Sequence, residues 1–333
     1  MFDEFAEQDR PYLRNGHHID EINTERAIEF LNGSRKEQPF CLSVSFSSVH
    51  AEDENHLPGR KGHYPVIHAV KDMYEDVEIP APRLRDPAIF ESLPEFLKTS
   101  MNRQRYFWSL DTPEKYQQNM RAYFAMISGV DHMIGLILTK LKAQGLADNT
   151  VVIYASDNGY YMGERGFQGK WSHFEQSLRI PLIIHDPRLP ATKRGQVPDT
   201  MALNIDIPAT ILHFAGAIVP EHYQGSSLVP LMQGDKIGVL RTDFFCEHLM
   251  DHKDLPKWEG VRGQRYVYAR YFEQTPPYEF LHDLEVDPDQ LTNFASNSQY
   301  HNVLVQMRKR CDELKNKYDR AAQRTAAEAD KPR

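Results

Sequence analysis

The sequence predicts an α/β layered domain followed by a small α+β subdomain. Up to about residue 235, short apolar runs of strand length alternate with amphipathic helical patterns. Beyond that point, aromatic segments alternate in pairs, which is typical of antiparallel hairpins. With 41% hydrophobic and 26% charged residues over 333 positions, the chain has the composition of a folded protein with a sizeable core. The predicted domains are therefore residues 1–235 and 236–333.

The first helix and strand are predicted before residue 51. The segment INTERAIEFLNG predicts a helix with Asn23 or Thr24 as its cap and Gly33 as its stop. The segment QPFCLSVSFSSVH, residues 38–50, places every second apolar side chain on one face and predicts a strand. Residues 51–110 contain many prolines and are expected to form a long irregular surface excursion.

The clearest helix follows this excursion. Thr112 is its predicted cap, Pro113 occupies the first turn and Gly145 ends it, with an apolar stripe between them. The apolar runs VVIYAS and PLIIH are then typical of strands covered on both faces in a parallel sheet. The segment DIPATILHFAG between residues 206 and 216 predicts the next helix. A mostly parallel sheet between helices is the expected arrangement.

The C-terminal part shows a different pattern. The segments RYVYARYF and YEFLHDL predict an antiparallel hairpin that turns around residues 275–277. A charged helix is predicted from about Gln299 to Lys317. Together these elements predict the small α+β subdomain.

Charge and composition exclude several classes of function. A net charge of −8 disfavours binding to nucleic acid or to an anionic membrane, because both need clustered positive charge. No apolar run approaches the roughly 18 residues of a membrane span. Cys41, Cys246 and Cys311 are too few and too scattered for a disulfide framework or a cysteine-rich metal site. The acidic segment MFDEFAEQDRPYLRNGHH does not resemble a signal peptide, so localisation is left unassigned.

Four residues are candidates for chemistry. Asp157 and Asn158 follow a buried strand at the edge where α/β sheets bind ligands, and their oxygens suit Ca²⁺ or Mg²⁺. An Asn-Gly pair is also a common turn. Lys170 follows a run with three glycines and is either a point charge for a bound anion or a solvated loop lysine. His50 ends a predicted strand and is either a proton donor or a structural histidine.

The order of motifs resembles the sulfatases of the alkaline phosphatase superfamily. The series DNG, GE, GK and SLRIPLII is similar to the second signature region of that family. The segment PFCLSVSFSSVH resembles the strand that ends in its active-site histidine, and NIDIPATILHFAG with YQGSSLVPLMQG resembles the following helix and loop. The tail segments EGVRGQRYVYARYF and YEFLHDLEVDPDQLTNFA resemble the family's C-terminal hairpin. The resemblance covers nearly the whole chain.

The resemblance implies a fold, an activity and roles for the candidate residues. The implied fold is an alkaline-phosphatase-like, mostly parallel sheet sandwiched by helices, and the implied activity is hydrolysis of carbohydrate or aryl sulfate esters. Asp157 and Asn158 would supply part of the Ca²⁺ shell, with Mg²⁺ as the alternative ion. Lys170 would contact the sulfate oxygens, and His50 would assist departure of the alcohol. Periplasmic or secreted localisation is typical of the family.

The chain departs from the family in one respect. The family's nucleophile is a formylglycine made from the Cys or Ser of C/S-x-P-x-R, and two further Asp metal ligands precede it. Neither feature is present here, since Cys41, Cys246 and Cys311 are followed by LSVS, EHLM and DELK. We therefore expect a truncated sulfatase domain that lacks its N-terminal half. Weak metal binding, an unpaired sheet edge and exposed apolar surface would follow.

Two other functions are compatible with the same motifs. A phosphodiesterase or phosphonate hydrolase of the same superfamily commonly has Asp-His where this chain has Asp157-Asn158, so the dipeptide favours a sulfatase. A non-catalytic anion-binding or partner-binding protein is the other alternative. His248 and Arg262 are candidates for substrate contact, although ordinary loop positions explain them equally well. Arg179 is expected to be a structural ion-pair residue.

Overall fold

The computed structural model describes residues 13–14, 17–34, 36–53, 63–234 and 240–329. Helices and short strands dominate its first part, and a four-stranded antiparallel sheet with one long helix forms its last part. The helices are α1 (Ile19–Gly33), α2 (Pro87–Glu91), α3 (Glu95–Lys98), α4 (Met101–Ser109), α5 (Pro113–Ala143), α6 (Glu175–Leu178), α7 (Asp206–Phe214), α8 (Val229–Gln233) and α9 (His301–Ala329). The strands are β1 (Leu13–Arg14), β2 (His17–His18), β3 (Val152–Ala155), β4 (Tyr161–Met162), β5 (Gln168–Gly169), β6 (Leu182–His185), β7 (Asp243–His248), β8 (Trp258–Gly263), β9 (Tyr266–Tyr271) and β10 (Tyr278–Asp283).

Helix α1 begins earlier than the sequence predicts. His18 caps it, because its Nδ1 accepts from the amide of Asp20 at 3.2 Å while the Glu21 carboxylate accepts from the amide of His18 at 3.1 Å. This reciprocal pair satisfies two amides that the helix itself leaves open. The predicted cap at residues 23–24 is therefore wrong, and the predicted stop at Gly33 is confirmed.

The segment predicted as a strand at residues 38–50 is extended but pairs with no strand in the described part of the chain. Its side chains alternate as expected, with Leu42, Val44 and Phe46 half-buried and the residues between them exposed. Phe46 packs against the core beside α5. The two faces are therefore correctly predicted, whereas the hydrogen-bonded ladder is not formed.

Helix α5 agrees with the prediction at both ends. The hydroxyl of Thr112 accepts from the amide of Lys115 at 3.2 Å, and Gly145, with φ of +66°, follows the last turn. By length and composition this helix would also suffice to cross a membrane, but a core helix passes the same test. Its buried side chains belong to three clusters of the core. Ile127 and Leu138 on its other side are exposed and line an open groove.

The excursion predicted between residues 51 and 110 is irregular in its described first half, apart from a short 3-10 turn at His68–Val70, but not in its second half. Helices α2, α3 and α4 occupy its second half, so this prediction is wrong there. Pro87 takes the first position of α2, and Pro94 immediately precedes α3. At helix starts a proline costs no hydrogen bond, which is why the prolines were misleading as signs of a loop.

The two apolar runs predicted as parallel strands pair with each other in the opposite sense. Strands β3 and β6 are antiparallel, with Val152 opposite His185 and Ala155 opposite Leu182. A parallel pair needs a long crossover, usually a full helix. The one-turn α6 is the only α-helix between these strands, beside the two-residue strands β4 and β5 and a 3-10 turn, and parallel pairing is not seen among the described residues. The expected burial of both faces is also absent, since Ile183 is 61% exposed.

The C-terminal sheet confirms the predicted hairpin. Its strand order is β10–β9–β8–β7, all antiparallel, and Tyr271 pairs with Tyr278 across the predicted turn. Helix α9 begins within two residues of its predicted start and continues to Ala329, beyond the predicted end. Its apolar side chains, including Leu304 and Leu314, pack against the sheet.

The core crosses the predicted domain boundary. One cluster joins side chains of the first part with side chains of the C-terminal sheet, so the two parts pack as a single body. The predicted boundary between residues 235 and 236 lies outside the described part of the chain, so its position stays a prediction. The buried members of the cluster are Leu93, Leu97, Tyr161, Phe167, Phe174, Trp258, Ala269, Tyr271 and Phe280.

A pair of buried histidines connects the two parts through hydrogen bonds. His282 Nδ1 lies 2.8 Å from the carbonyl of Thr292, which only accepts, so His282 Nε2 carries no proton. His173 Nε2 therefore donates to His282 Nε2 at 3.1 Å, and His173 Nδ1 accepts from the hydroxyl of Tyr271 at 3.0 Å. Both rings are neutral in this arrangement. Burial lowers the pKa of His282 to about 4, and burial together with the His282 ring lowers the pKa of His173.

The histidine pair predicts loss of stability in acid. Since the folded pKa of His282 lies below 6.5, the unfolded chain binds more protons as the pH falls. The contribution of the neutral His282 ring to the free energy of unfolding is complete above pH 6.5. It is lost progressively towards pH 4, by about 3 kcal/mol for this one ring. Replacing it by His282→Gln keeps a donor and an acceptor but removes the titration. We expect a shallower decline of the free energy of unfolding between pH 6.5 and 4 in urea titrations.

The exposed His222 provides the control for this measurement. His222→Gln also removes a histidine, but it should leave the pH dependence of the wild-type chain unchanged. Equal slopes for the wild-type chain and His282→Gln would contradict the prediction.

Candidate functional site

One groove brings together the four candidate residues of the sequence. It encloses about 1990 Å³ between the extended segment at residues 38–50, helix α5 and strand β3. His50, Asp157, Asn158 and Lys170 all line it. Residues that lie more than 100 positions apart in the chain therefore face one space.

A buried carboxylate holds the backbone turn that precedes His50. Asp20 is fully buried in the first turn of α1, and its two oxygens accept from the amides of Ser47 at 2.6 Å and Ser48 at 2.8 Å. The amide of His50 donates to the carbonyl of Ser47 at 3.0 Å and closes the turn. The first turn of α1 thus holds the backbone that presents the histidine.

The ring of His50 has a defined proton arrangement. Its Nδ1 lies 2.8 Å from the carbonyl oxygen of Ala51. Because a carbonyl only accepts, Nδ1 donates this hydrogen bond and carries a proton. His50 is exposed at the groove, so Nε2 is the nitrogen that can take up or release a proton there.

Asn158 and Lys170 are in direct contact. Lys170 Nζ donates to Asn158 Oδ1 at 2.7 Å, and Asp157 Oδ1 accepts from the amide of Asn158 at 2.9 Å. Within the described ranges no carboxylate lies at ion-pair distance from Lys170. Its ammonium group therefore keeps its charge uncompensated and two further N–H donors for a ligand.

Gly159 shows why the Asn-Gly pair is not a hairpin turn. Its amide donates to the carbonyl of Ser177 at 3.0 Å, so this loop packs directly on the chain around residues 176–179. A Cβ at this position would lie 2.3 Å from the carbonyl oxygen of Gln176 and 2.7 Å from that of Arg179. Only glycine allows the loop to pack this closely.

The backbone on both sides of Lys170 has positive φ values. Gly169 has φ of +119° and Trp171 has φ of +77°, which is costly for a tryptophan. Trp171 is held in this conformation by Trp258, whose Nε1 donates to its carbonyl at 2.9 Å. The C-terminal sheet therefore helps to fix the direction of the lysine.

The donors at Asp157 and Asn158 match Ca²⁺ in kind but not in number. Both offer hard oxygens, whereas Ca²⁺ takes six to eight oxygen ligands. No cluster of three or more His, Cys, Asp or Glu side chains suited to a metal is found within the described part of the chain. Asn158 Oδ1 also accepts from Lys170. These residues can form part of a calcium shell and cannot complete one.

Arg179 is a groove residue that the sequence analysis did not identify as such. It is exposed, lines the groove and has no side-chain hydrogen bond or ion pair with any residue that the structure describes. The expected structural ion pair is therefore not formed there. Its position before Ile180-Pro181 carries no signal for this, because pairing depends on distant neighbours.

His248 and Arg262 lie away from the groove lining. Both belong to the C-terminal sheet, and burial lowers the pKa of His248. Arg262 Nε donates to the carboxylate of Glu175 at 3.0 Å, and Glu175 itself lines the groove. A substrate contact by either residue stays a prediction.

Two family models match the chain. Residues 1–217 match the model described as Sulfatase, which is more than half of the chain. Residues 163–317 match the model described as N-sulphoglucosamine sulphohydrolase, C-terminal. Together the two models cover residues 1–317, which end within helix α9.

Curated relatives are similar over most of the chain. An N-acetylglucosamine-6-O-sulfatase of Bacteroides thetaiotaomicron is 26% identical over 95% of this chain and 64% of its own length. An arylsulfatase of Clostridium perfringens is 29% identical over 90% of this chain and 58% of its own length. The chain thus spans about three fifths of the length of these relatives.

Solved structures share the fold. One, in complex with its substrate D-glucosamine-2-N,6-O-disulfate, has a TM-score of 0.78 at 22% identity and covers 92% of this chain and 71% of its own. A phosphonate monoester hydrolase of Agrobacterium radiobacter has a TM-score of 0.63 at 22% identity. The match covers 88% of this chain and 60% of the hydrolase chain. The predicted fold class, an alkaline-phosphatase-like α/β domain with a strand-rich C-terminal region, is confirmed.

Removing the Asp20 carboxylate should destabilise the turn before His50. Asp20→Ala leaves the amides of Ser47 and Ser48 without their acceptor. We expect a loss of about 2 kcal/mol or more in the free energy of unfolding, measured by urea denaturation. Glu25→Ala, an exposed position on the same helix, is the control and should change stability by less than about 0.5 kcal/mol. Equal losses for both variants would refute the role of Asp20.

A methyl group at Gly159 should displace the loop that carries Asp157 and Asn158. The added Cβ of Gly159→Ala would collide with two backbone carbonyls, so a loss of about 2 kcal/mol in stability is expected. Gly33→Ala is the control, because its Cβ would meet no atom within 4 Å. Thermal unfolding of both variants is the measurement. A Gly159→Ala variant as stable as Gly33→Ala would contradict the close packing of the loop.

Proposed function

Because this chain belongs to the sulfatase family, a family of sulfuric ester hydrolases, we propose that it forms the sulfate-binding part of such an active site. The observation that carries the proposal is the convergence of His50, Asp157, Asn158 and Lys170 on one groove. Each of these residue types suits one requirement of sulfate ester hydrolysis. The requirements are charge stabilisation on the oxygens and an acid for the leaving group.

Lys170 is proposed to bind the sulfate oxygens. Its ammonium group is free of carboxylates among the described residues and retains two N–H donors beside the one that contacts Asn158. Arg179 is a second uncompensated cation on the same lining. Negative charge on the non-bridging oxygens of a sulfate ester would be stabilised by both groups.

His50 is proposed to donate a proton to the departing alcohol oxygen. The Ala51 carbonyl occupies Nδ1, which leaves Nε2 as the exchanging nitrogen. In the protonated ring Nε2 becomes a donor directed away from the backbone. The turn held by Asp20 fixes the position from which the proton is delivered.

Asp157 and Asn158 are proposed to hold Ca²⁺, with Mg²⁺ as the alternative, together with ligands from outside the described residues. When bound, such an ion would offset negative charge on the sulfate oxygens. Lys170 holds the Asn158 side chain by its Oδ1 and so orients the amide next to the proposed ion.

The proposed substrate is a sulfated saccharide, with aryl sulfates as the alternative. The relatives named N-acetylglucosamine-6-O-sulfatase and arylsulfatase support these two classes. The rim of the groove carries Arg83 in an ion pair with Asp289, and both residues line the space. Such a charged rim suits the hydroxyl and sulfate groups of a sugar.

A further polypeptide segment, equivalent to the N-terminal part of the longer relatives, is proposed to fill most of the groove. Small-molecule sites usually enclose about 300 to 1000 Å³, and about 1990 Å³ exceeds this range. The extended segment at residues 40–47 has no ladder partner in the described chain, and β3 pairs there only with β6. A strand between them would satisfy both backbones and cover the exposed side of α5. The nucleophile, a formylglycine in this family, would come from that segment.

Hydrolysis of a phosphonate monoester or phosphodiester is the second candidate. The structural similarity to a phosphonate monoester hydrolase supports it at the level of fold. The dipeptide Asp157-Asn158, in place of the Asp-His expected for such enzymes, favours sulfate. Both ester types therefore belong in the test.

Removal of either catalytic side chain should abolish most of the activity. The chain is co-expressed with the N-terminal segment of a long relative and with a formylglycine-generating enzyme, and hydrolysis of 4-nitrophenyl sulfate is measured. We expect Lys170→Ala and His50→Ala each to lower kcat/KM by about 100-fold or more, because each removes a group that acts on developing charge.

Two surface variants control for general effects of substitution. Lys142→Ala and His132→Ala alter exposed positions of α5 and should retain wild-type turnover. Unchanged rates in Lys170→Ala and His50→Ala would refute the assigned roles. A preference for a phosphonate monoester over the sulfate ester would instead support the second candidate function.

A further inference from the structure

One buried guanidinium contacts the three segments that carry the proposed site residues His50, Asp157, Asn158 and Lys170. Arg105 lies on α4 with only 7% of its surface exposed. Its Nη2 donates to the carboxylate of Asp53, and its Nη1 donates to the hydroxyl of Tyr160 at 3.2 Å. Its Cζ lies 5.2 Å from the ring centre of Trp171. The three contacts come from three separate parts of the chain.

Each contact is adjacent in sequence to a proposed site residue. Asp53 follows His50 by three residues, Tyr160 follows Asn158 by two, and Trp171 is the direct neighbour of Lys170. Tyr160 also lines the groove. A shift of the guanidinium would therefore reach the histidine, the Asp-Asn loop and the lysine together.

The chemistry of the guanidinium suits this arrangement. Its planar fork donates in two fixed directions, and its flat face stacks on an aromatic ring. An ammonium group carries the same charge but cannot satisfy Asp53, Tyr160 and the Trp171 ring at once. A buried cation is also costly without its partners, so the contacts are strongly favoured in the folded chain.

The backbone near Lys170 supports the same conclusion. A Cβ at Gly169 would lie 3.4 Å from Arg105 Cδ and 2.6 Å from Asn102 Oδ1, so α4 packs tightly against this glycine. Trp171, beside it, keeps a positive φ of 77°. The strained residue next to the lysine thus lies over the same guanidinium.

We propose that Arg105 is a positioning residue that fixes His50, the Asp157-Asn158 loop and Lys170 relative to one another. The inference rests on the proposed function for its catalytic consequence, since it assumes that these residues act on one anion. Arg105 itself is not among the residues that line the groove. It acts through Asp53, Tyr160 and Trp171.

The first test measures backbone hydrogen exchange in the full chain and does not depend on activity. Arg105→Lys should accelerate exchange by about tenfold or more in three segments together, residues 47–53, 157–161 and 169–173. Exchange in the C-terminal sheet should stay unchanged. Acceleration in one segment only, in none, or throughout the chain would overturn the inference.

Arg103→Lys is the matched control on the same helix. Arg103 is also a partly buried arginine, but it stacks on Phe90 at 3.9 Å and donates to the carbonyl of Gly166 at 2.9 Å. Its replacement should leave exchange at residues 47–53 and 157–161 unchanged. Equal acceleration there in both variants would count against a specific role of Arg105.

The second test uses the completed enzyme and separates kcat from KM. Displacement of catalytic groups by about 1 Å costs on the order of 100-fold in rate, so Arg105→Lys should lower kcat by about 10- to 100-fold with little change in KM. Wild-type turnover despite accelerated exchange in the three segments would overturn the positioning role. If even the wild-type enzyme hydrolyses no sulfate ester while the exchange result holds, the proposed function falls and the structural role of Arg105 stands.

Discussion

The structure depends on a gap in strand pairing along the groove. Residues 40–47 and strand β3 both line the groove; within the described chain residues 40–47 pair with no strand, and β3 pairs only with β6. Backbone amides and carbonyls of extended segments strongly favour partners. Ile127 and Leu138 on α5 and Tyr154 on β3 are exposed along the same groove, where the proposed additional strand would cover them. The membrane-like composition of α5 is explained by the same position between core and groove.

Around this gap, buried charged groups determine where the candidate residues lie. Asp20 holds the turn before His50 through two backbone amides, and Lys170 holds Asn158 through its side-chain oxygen. Loops carry few apolar contacts of their own, so such hydrogen bonds decide their conformation. The site therefore remains assembled in a chain whose groove is open.

The C-terminal sheet supports the candidate site although none of its strands lines the groove; Pro288 and Asp289, which follow β10, reach only the rim. Trp258 holds the carbonyl of Trp171, and the His173–His282 pair ties the lysine loop to strand β10. A shared apolar cluster encloses these polar contacts. The C-terminal part thus supports the conformation of the loop that carries Lys170, in agreement with a family model that spans both parts.

The sequence by itself determined the fold class, the long helix α5, the C-terminal hairpin and the alternation of residues 40–46, because periodicity and caps are local properties. It also predicted His50, Asp157, Asn158 and Lys170 as site residues from motifs that resemble a known family, and the structure brings these four residues to one groove. Only the tertiary structure decided that β3 and β6 run antiparallel, that His18 caps α1 and that the prolines of residues 87 and 94 begin helices. The contacts of the buried Arg105 and Asp20 belong to the same group, because their partners are distant in sequence.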